Sequence, residues 1–317
     1  MSDYVNKRIE YINNWPNVVP FEAEKNYEKR CNDFIEKYGR QPFSLMKLWV
    51  DMDDEYNRTI SHFIDSIDVM PYHPNFAFTF AFSALDYYAK KQYPNPNPRG
   101  KPNITISLKL LAEDITNLST LNADVRDTLT ALFSVVPVSA TAYLYKCLHS
   151  GLNPSNNAYN RVTTDINNSP IIGKQTIVDA IFGHYRYDPL HFNDSIRQSA
   201  LLYRKIFTNN TIVVDGTTFN ITDNLRLHLL ASGIIYSLRN DSLHGSSMSS
   251  TKSSKTTPKR YALNYYCYLA TYTLLMLLLV NKSTISGTDK NVKYAELKNI
   301  TLSNVADFGN LFGNHLQ

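Results

Sequence analysis

Glycine is scarce in this chain, with 11 residues among 317. Neither GxGxxG nor GxxxxGKS/T occurs, which excludes the nucleotide-binding folds built on glycine-rich loops. Cysteine is scarcer still. Cys31, Cys147 and Cys267 are odd in number and widely spaced, so they support neither a disulfide framework nor a zinc knuckle. Charged residues make up only 19%, and the net charge of +4 permits a nucleic-acid partner without demanding one. The opening MSDYVNKRIEYINNW has no apolar stretch of the secretory kind, so the chain is expected to act in the cytoplasm.

Apolar and aromatic residues are plentiful: 43% of the chain is hydrophobic, with 22 Tyr and 15 Phe. That is enough for a core without metal or disulfide support. The fold class expected is mainly α, a helical bundle with an N-terminal helical extension and at most one small β-hairpin. Helical spacing runs over Glu22 to Tyr38, stopping at Gly39, and over Phe43 to Val69. Asn75 is placed to cap a helix through Tyr93 that is apolar nearly all round. Further helices are expected over Ile104–Leu121, Ala123–Ser134, Val138–His149, Lys174–Tyr185 and Asp194–Phe207. Gly151 to Gly173 reads as a polar loop. Asp215-Gly216 between β-branched runs predicts a hairpin. Asp223 is placed to cap the next helix, which runs into Arg239. Tyr265 to Val280, YYCYLATYTLLMLLLV, approaches the length of a membrane span, but its tyrosines and threonines favour a buried core helix. Three regions follow: an accessory helical layer at 1–70, a helical domain at 71–283 with a mobile loop at 244–258, and a tail packing on it at 284–317.

The segment with the most chemistry is YSLRNDSLHG, Tyr236 to Gly245. A buried-type helix ends there in Arg239, Asn240, Asp241, Ser242 and His244. Arginine grips phosphate because its planar donors match two oxygens at once. Histidine exchanges a proton near neutral pH. The pair suffices for metal-free RNA cleavage: His takes the proton of a ribose 2′-OH and Arg neutralises the phosphorane. Five residues apart on a straight helix, the two lie roughly 140° apart. They meet on one phosphate only if the last turn distorts, or if a dimer brings two copies together.

Arg-x4-His at the end of a late helix, followed by Gly245, a loop and another apolar helix, resembles the HEPN superfamily, and within it the Apea-like type. The AFSALD helix with Asp86 resembles the first helix of such domains, and the likeness spans about Pro71 to Lys282. The toxin variant with Tyr two residues after the His is absent, since Ser246 stands there. The resemblance implies a homodimeric, metal-independent endoribonuclease without cofactor, of the kind found in prokaryotic stress and phage-defence systems, with an antitoxin or defence partner. It implies that Arg239 binds phosphate, Asn240 orients it or the His, and His244 is general base or acid. A non-catalytic RNA- or protein-binding module is the alternative.

Asp86 and Asp241 are candidate supporting residues. Lys252, Lys255, Lys259 and Arg260 are candidate RNA contacts in a flap beside the motif. Asp51, Asp53, Asp54 and Glu55 lack the Gly and distal Glu of a calcium loop and read as a solvated helix face. GHYRYDPLH, Gly183 to His191, reads as a helix end and a turn. Cys147 reads as core. No metal site is expected.

Overall fold

The computed structural model describes residues 3–95, 103–149, 157–185, 190–243 and 251–316. In chain order the elements are α1 (Asp3–Asn13), α2 (Glu22–Tyr38), α3 (Asp54–Asp68), α4 (Pro74–Gln92), α5 (Ile104–Leu121), α6 (Ala123–Ser134) and α7 (Val138–Leu148). Next come α8 (Asn157–Thr163), α9 (Ile172–His184), α10 (Phe192–Thr208), β1 (Thr211–Val214), β2 (Thr217–Asn220) and α11 (Asp223–His228). A π-helical stretch, Leu229–Ile235, joins α11 to α12 (Tyr236–Leu243), and α13 (Pro258–Lys282) and α14 (Gly287–Phe312) complete the chain. The protein is mainly helical with one small antiparallel hairpin, as its periodicities predict.

The axis of the fold is α13. Every residue from Tyr261 to Val280 is buried. The helix is long and apolar enough to cross a membrane, but here its whole apolar window lies inside the chain. α4, α14, α2, α7 and α5 pack around it, and α3 lies along α4. One contiguous core runs from Ala23 on α2 to Phe312 on α14.

Phe43 to Val50 is irregular rather than helical. The sequence has helical spacing here, but its backbone donors are claimed from outside. The Ser44 N–H donates to Asn304 Oδ1 at 2.6 Å and the Met46 N–H to the Tyr272 hydroxyl at 2.7 Å. The Lys47 N–H donates to Glu296 Oε1 at 3.0 Å. Arg40 anchors the entry to this segment with two bonds to Asp307, at 2.7 and 2.8 Å. The helix starts only at Asp54, where Asp53 caps it by accepting from the Glu55 N–H.

Other departures are local. α4 starts at Pro74 with His73 before it and no side-chain cap, so Asn75 lies inside the helix. Thr222, not Asp223, caps α11 by accepting from the Leu225 N–H. The stretch expected as one loop contains α8, and the C-terminal region is a 26-residue helix that buries Tyr294, Leu297, Phe308 and Leu311. The hairpin forms where expected. Asp215 (φ 47°) and Gly216 (φ 77°) both take left-handed conformations, as a type I′ turn requires.

The acidic cluster is not a solvated face. Asp51 is 4% exposed. It accepts from the Asp53 N–H at 3.0 Å and the Thr284 hydroxyl at 3.2 Å, tying the irregular segment to the end of α13. Glu55 pairs with Lys91 at 2.8 Å and accepts from the Tyr87 hydroxyl. Burial would raise the Asp51 carboxyl, but the hydrogen bonds outweigh it and hold it below its ordinary value. A carboxylate shifted down on folding adds stability above its unfolded pKa near 4 and loses it as the pH falls through the folded value. Asp51→Asn is therefore expected to lower stability at neutral pH by about 1–3 kcal/mol. The difference in urea midpoint should shrink as the pH falls from about 5 to about 2. A gap constant with pH would rule the ionised carboxylate out as the anchor.

Candidate functional site

α11, the π stretch and α12 form one continuous helix, buried from Leu225 to Ile235, whose register changes midway. The Tyr236 N–H bonds to the Ala231 carbonyl, five residues back, where an α-helix would reach four. Gly233 lies within this stretch. A Cβ there would stand 2.6 Å from Leu144 Cδ1 of α7 and 3.4 Å from Val162 Cγ2 of α8. α7 and α8 thus press onto the π stretch, and α12 emerges beside them. The register change precedes both Arg239 and the end of α12. It turns α12 relative to α11 but leaves spacings within α12 as a helix dictates.

The Arg239 guanidinium lies 5.5 Å from the centre of the Phe82 ring on α4, and its Nη1 donates to Asn240 Oδ1 at 3.1 Å. Arg239 has no ion-pair partner among the described residues. His244 and Gly245 lie outside the described residues. Asp241 accepts from the Tyr143 hydroxyl at 2.7 Å. Asp86 pairs with Lys90 one turn along α4, at 2.8 Å.

The basic tract behaves differently from a free flap where it is described. Thr251 and Ser253 are buried. Lys252 pairs with Glu24 at 3.2 Å, and the Ser254 hydroxyl donates to the Tyr4 carbonyl at 2.8 Å. Small hydroxylated residues can be enclosed once their polar groups find partners: the Thr251 hydroxyl donates to Asn75 Oδ1 of α4 and the Ser253 hydroxyl accepts from the Lys255 N–H, each at 3.3 Å. Lys255 and Lys259 are exposed and Arg260 is half-buried. His184 contacts Asp215 of the hairpin turn. Arg186 and Asp188 lie outside the described residues.

Two depressions open beside α12. One, of about 500 Å³, is lined by Tyr143 and Cys147 of α7, Arg161 of α8, and Ser237, Asn240 and Asp241 of α12. The other, of about 420 Å³, is lined by Lys109 of α5, Asn160, Arg161 and Thr164 on the α8 side, and Tyr236 and Asn240 of α12. Both fall in the size range of small-ligand pockets. Asn157, Arg161 and Asn240 border both, so the two are lobes of one groove.

Sequence reasoning missed Arg161 and Lys109. Arg161 Nη2 donates to the Ser237 hydroxyl at 2.7 Å and Nε to the Ser232 carbonyl at 3.3 Å. Its guanidinium lies 4.7 Å from the Tyr236 ring centre. Burial pushes its pKa down from the usual arginine value. Lys109 is 2% exposed and donates to the Thr164 hydroxyl and the Asp165 carbonyl, at 3.1 and 2.7 Å. The only signal for Arg161 was the apolar spacing of Ala158, Tyr159 and Val162, under two turns within an Asn-rich stretch.

Two further histidines belong to the interior. His149 bonds the Tyr203 hydroxyl at 2.9 Å, and burial pushes its pKa down to about 3. His228 has no hydrogen-bond partner at either ring nitrogen among the described residues; burial, with Lys174 and Lys109 nearby, pushes its pKa to about 3. Neither can act as a proton donor near neutral pH. Among the described residues no three His, Cys, Asp or Glu side chains gather as metal ligands. No protein-family model, no curated protein and no solved structure matches the chain.

Two predictions test this architecture. Gly233→Val should cost about 1–3 kcal/mol by overpacking against Leu144, read as a lower melting temperature. An unchanged melting temperature would show that α7 does not need the close approach. Burial pushes the Cys147 thiol to about 11 and the Cys31 thiol to about 12, and it raises Cys267 further. A thiol reagent at about pH 8 should therefore react slowly with the native chain and rapidly with all three cysteines after denaturation. Rapid native labelling of Cys147 would instead mark it as a candidate nucleophile.

Proposed function

We propose that the protein is a HEPN-type endoribonuclease of prokaryotic stress or phage defence, acting in the cytoplasm. It cleaves RNA by attack of the 2′-OH, leaving a 2′,3′-cyclic phosphate, with no metal required in the step. The observation that carries this reading is the groove beside α12, bordered by Asn240 and by the Arg161 guanidinium, which has no ion pair among the described residues. It lies at the same helix end as the Arg-Asn-x3-His motif. An RNA phosphate is the anion that such donors match.

In the proposed mechanism Arg239 binds the scissile phosphate and Asn240 holds Arg239 through its side-chain oxygen. His244 takes the proton of the 2′-OH and returns one to the departing 5′ oxygen. A symmetric dimer would bring two such helix ends into one cleft. An antitoxin or defence partner would restrain it.

The non-catalytic reading draws on one observation. The guanidinium that lines the groove, Arg161, stands on α8, off the motif, so binding there does not need His244. Wild type, His244→Ala and Arg239→Ala expressed in cells under inducing stress separate the two. The nuclease reading expects RNA fragments with 2′,3′-cyclic ends from wild type alone. Intact RNA in all three, with RNA still bound by purified wild type, would leave the binding module.

A further inference from the structure

We propose that Arg161 is a second phosphodiester-binding residue, and that a single RNA strand crosses it with one nucleotide in each lobe of the groove. The inference rests on RNA being the ligand and adds the path the strand takes.

The first support is position. Arg161 borders both lobes, so a strand running from one to the other must pass it. The second is unused bonding capacity. A guanidinium carries five N–H donors. Arg161 uses one on Ser237 and one on Ser232, which leaves three. It has no ion pair among the described residues. The third is preorganisation. The Ser232 carbonyl belongs to the π stretch, and the Tyr236 ring backs the guanidinium plane. A side chain held on two bonds and one ring loses little freedom when an anion arrives.

The chemistry of each lobe fits the assignment. One lobe adds Lys109, a second cation without an ion pair among the described residues, with Thr105 and Asn168 placing a hydroxyl and an amide where ribose and base edges would lie. The other has the aromatic edge of Tyr143 and the exposed Lys146. Asp241 lies in this lobe too, but it is engaged by the Tyr143 hydroxyl. Arginine and tyrosine stacked together make a platform on which an unpaired base rests without sequence preference.

The test uses the full chain carrying His244→Ala, so that RNA survives the measurement. Binding of a fluorescent single-stranded ten-nucleotide RNA is followed by anisotropy across a salt series. Adding Arg161→Gln should weaken the Kd about tenfold or more. The slope of log K against log salt should fall by about 0.7, one phosphate contact on a single strand. Asn157→Asp with Asn160→Asp, isosteric and exposed on the groove rim, should also weaken binding, and they serve if Arg161→Gln fails to fold. Lys29→Ala, exposed on α2, should change nothing. An unlabelled dinucleoside monophosphate should compete in an Arg161-dependent way, and a mononucleotide should not.

An unchanged Kd and salt slope in a folded Arg161→Gln chain, or in the Asn pair, overturns the proposal. Equal competition by the mononucleotide overturns the crossing. If wild type cuts RNA while Arg161→Gln binds it normally, this inference falls alone. If binding depends on Arg161 and wild type cuts nothing, the nuclease reading falls and this one stands.

Discussion

A helix buried on every side must be enclosed by its own chain, and α13 is such a helix. From Tyr261 to Val280 no residue reaches solvent appreciably. Each large side chain so buried contributes roughly 1.5–3 kcal/mol relative to exposure. That gain is available only if other elements cover the whole circumference. α4, α14, α2, α7 and α5 do so. The tyrosines of α13 add a second requirement, because a buried hydroxyl needs a partner. Tyr265 finds the Pro42 carbonyl and Tyr272 accepts from the Met46 N–H. The segment between α2 and α3 therefore supplies partners to two hydroxyls of the core helix, at the expense of the helix that its own sequence favours.

The same enclosure positions the groove. α7 touches α13 on one side and the π stretch on the other. Because Gly233 has no side chain, α7 and α8 close on the helix that leads to α12. Tyr143 and Cys147 are thereby brought opposite Ser237 and Asp241. Most of the lining belongs to packed helices, which fix the relative positions of those side chains; Thr164 and Asn168 come from the turn between α8 and α9. Arg239 faces elsewhere: its guanidinium lies on Phe82, itself buried in α4. Asn240 bonds Arg239 and borders both lobes, so it links the motif arginine to the groove.

What could be read from the sequence follows from how local its physics is. α5 and α6 match their expected spans, because a cap and an amphipathic run lie within a few residues of each other. The Asp-Gly hairpin is equally local. The irregular course of Phe43 to Val50 was not legible, since Asn304, Tyr272 and Glu296 lie more than two hundred residues away. The π stretch was not legible either, and the close approach of Leu144 to Gly233 within it is a tertiary contact. For the site, Arg239 and Asn240 stood out because they end an apolar helix within one motif. Arg161 and Lys109 did not, because their relation to α12 exists only in the fold.

The pairing of charges distinguishes structural cations from those at the groove. Arg40 is bonded to Asp307, Lys282 to Asp114 and Lys298 to Asp124. Each of these long side chains fixes one element to another and is neutralised in doing so. Lys109, Arg161 and Arg239 have no such partner among the described residues, and Lys109 is almost wholly buried. Withdrawing a cation from water is costly, and the lowered pKa values of Lys109 and Arg161 register that burial, which the carboxylates at a distance (Asp165 and Glu113 for Lys109, Asp241 for Arg161) offset only in part. Packing alone would favour an apolar residue of similar volume at such positions. An incoming phosphate removes the penalty and converts it into affinity. A groove that holds its cations unpaired is therefore a better ligand for an anion than a surface lysine, which gives up its full hydration when it binds.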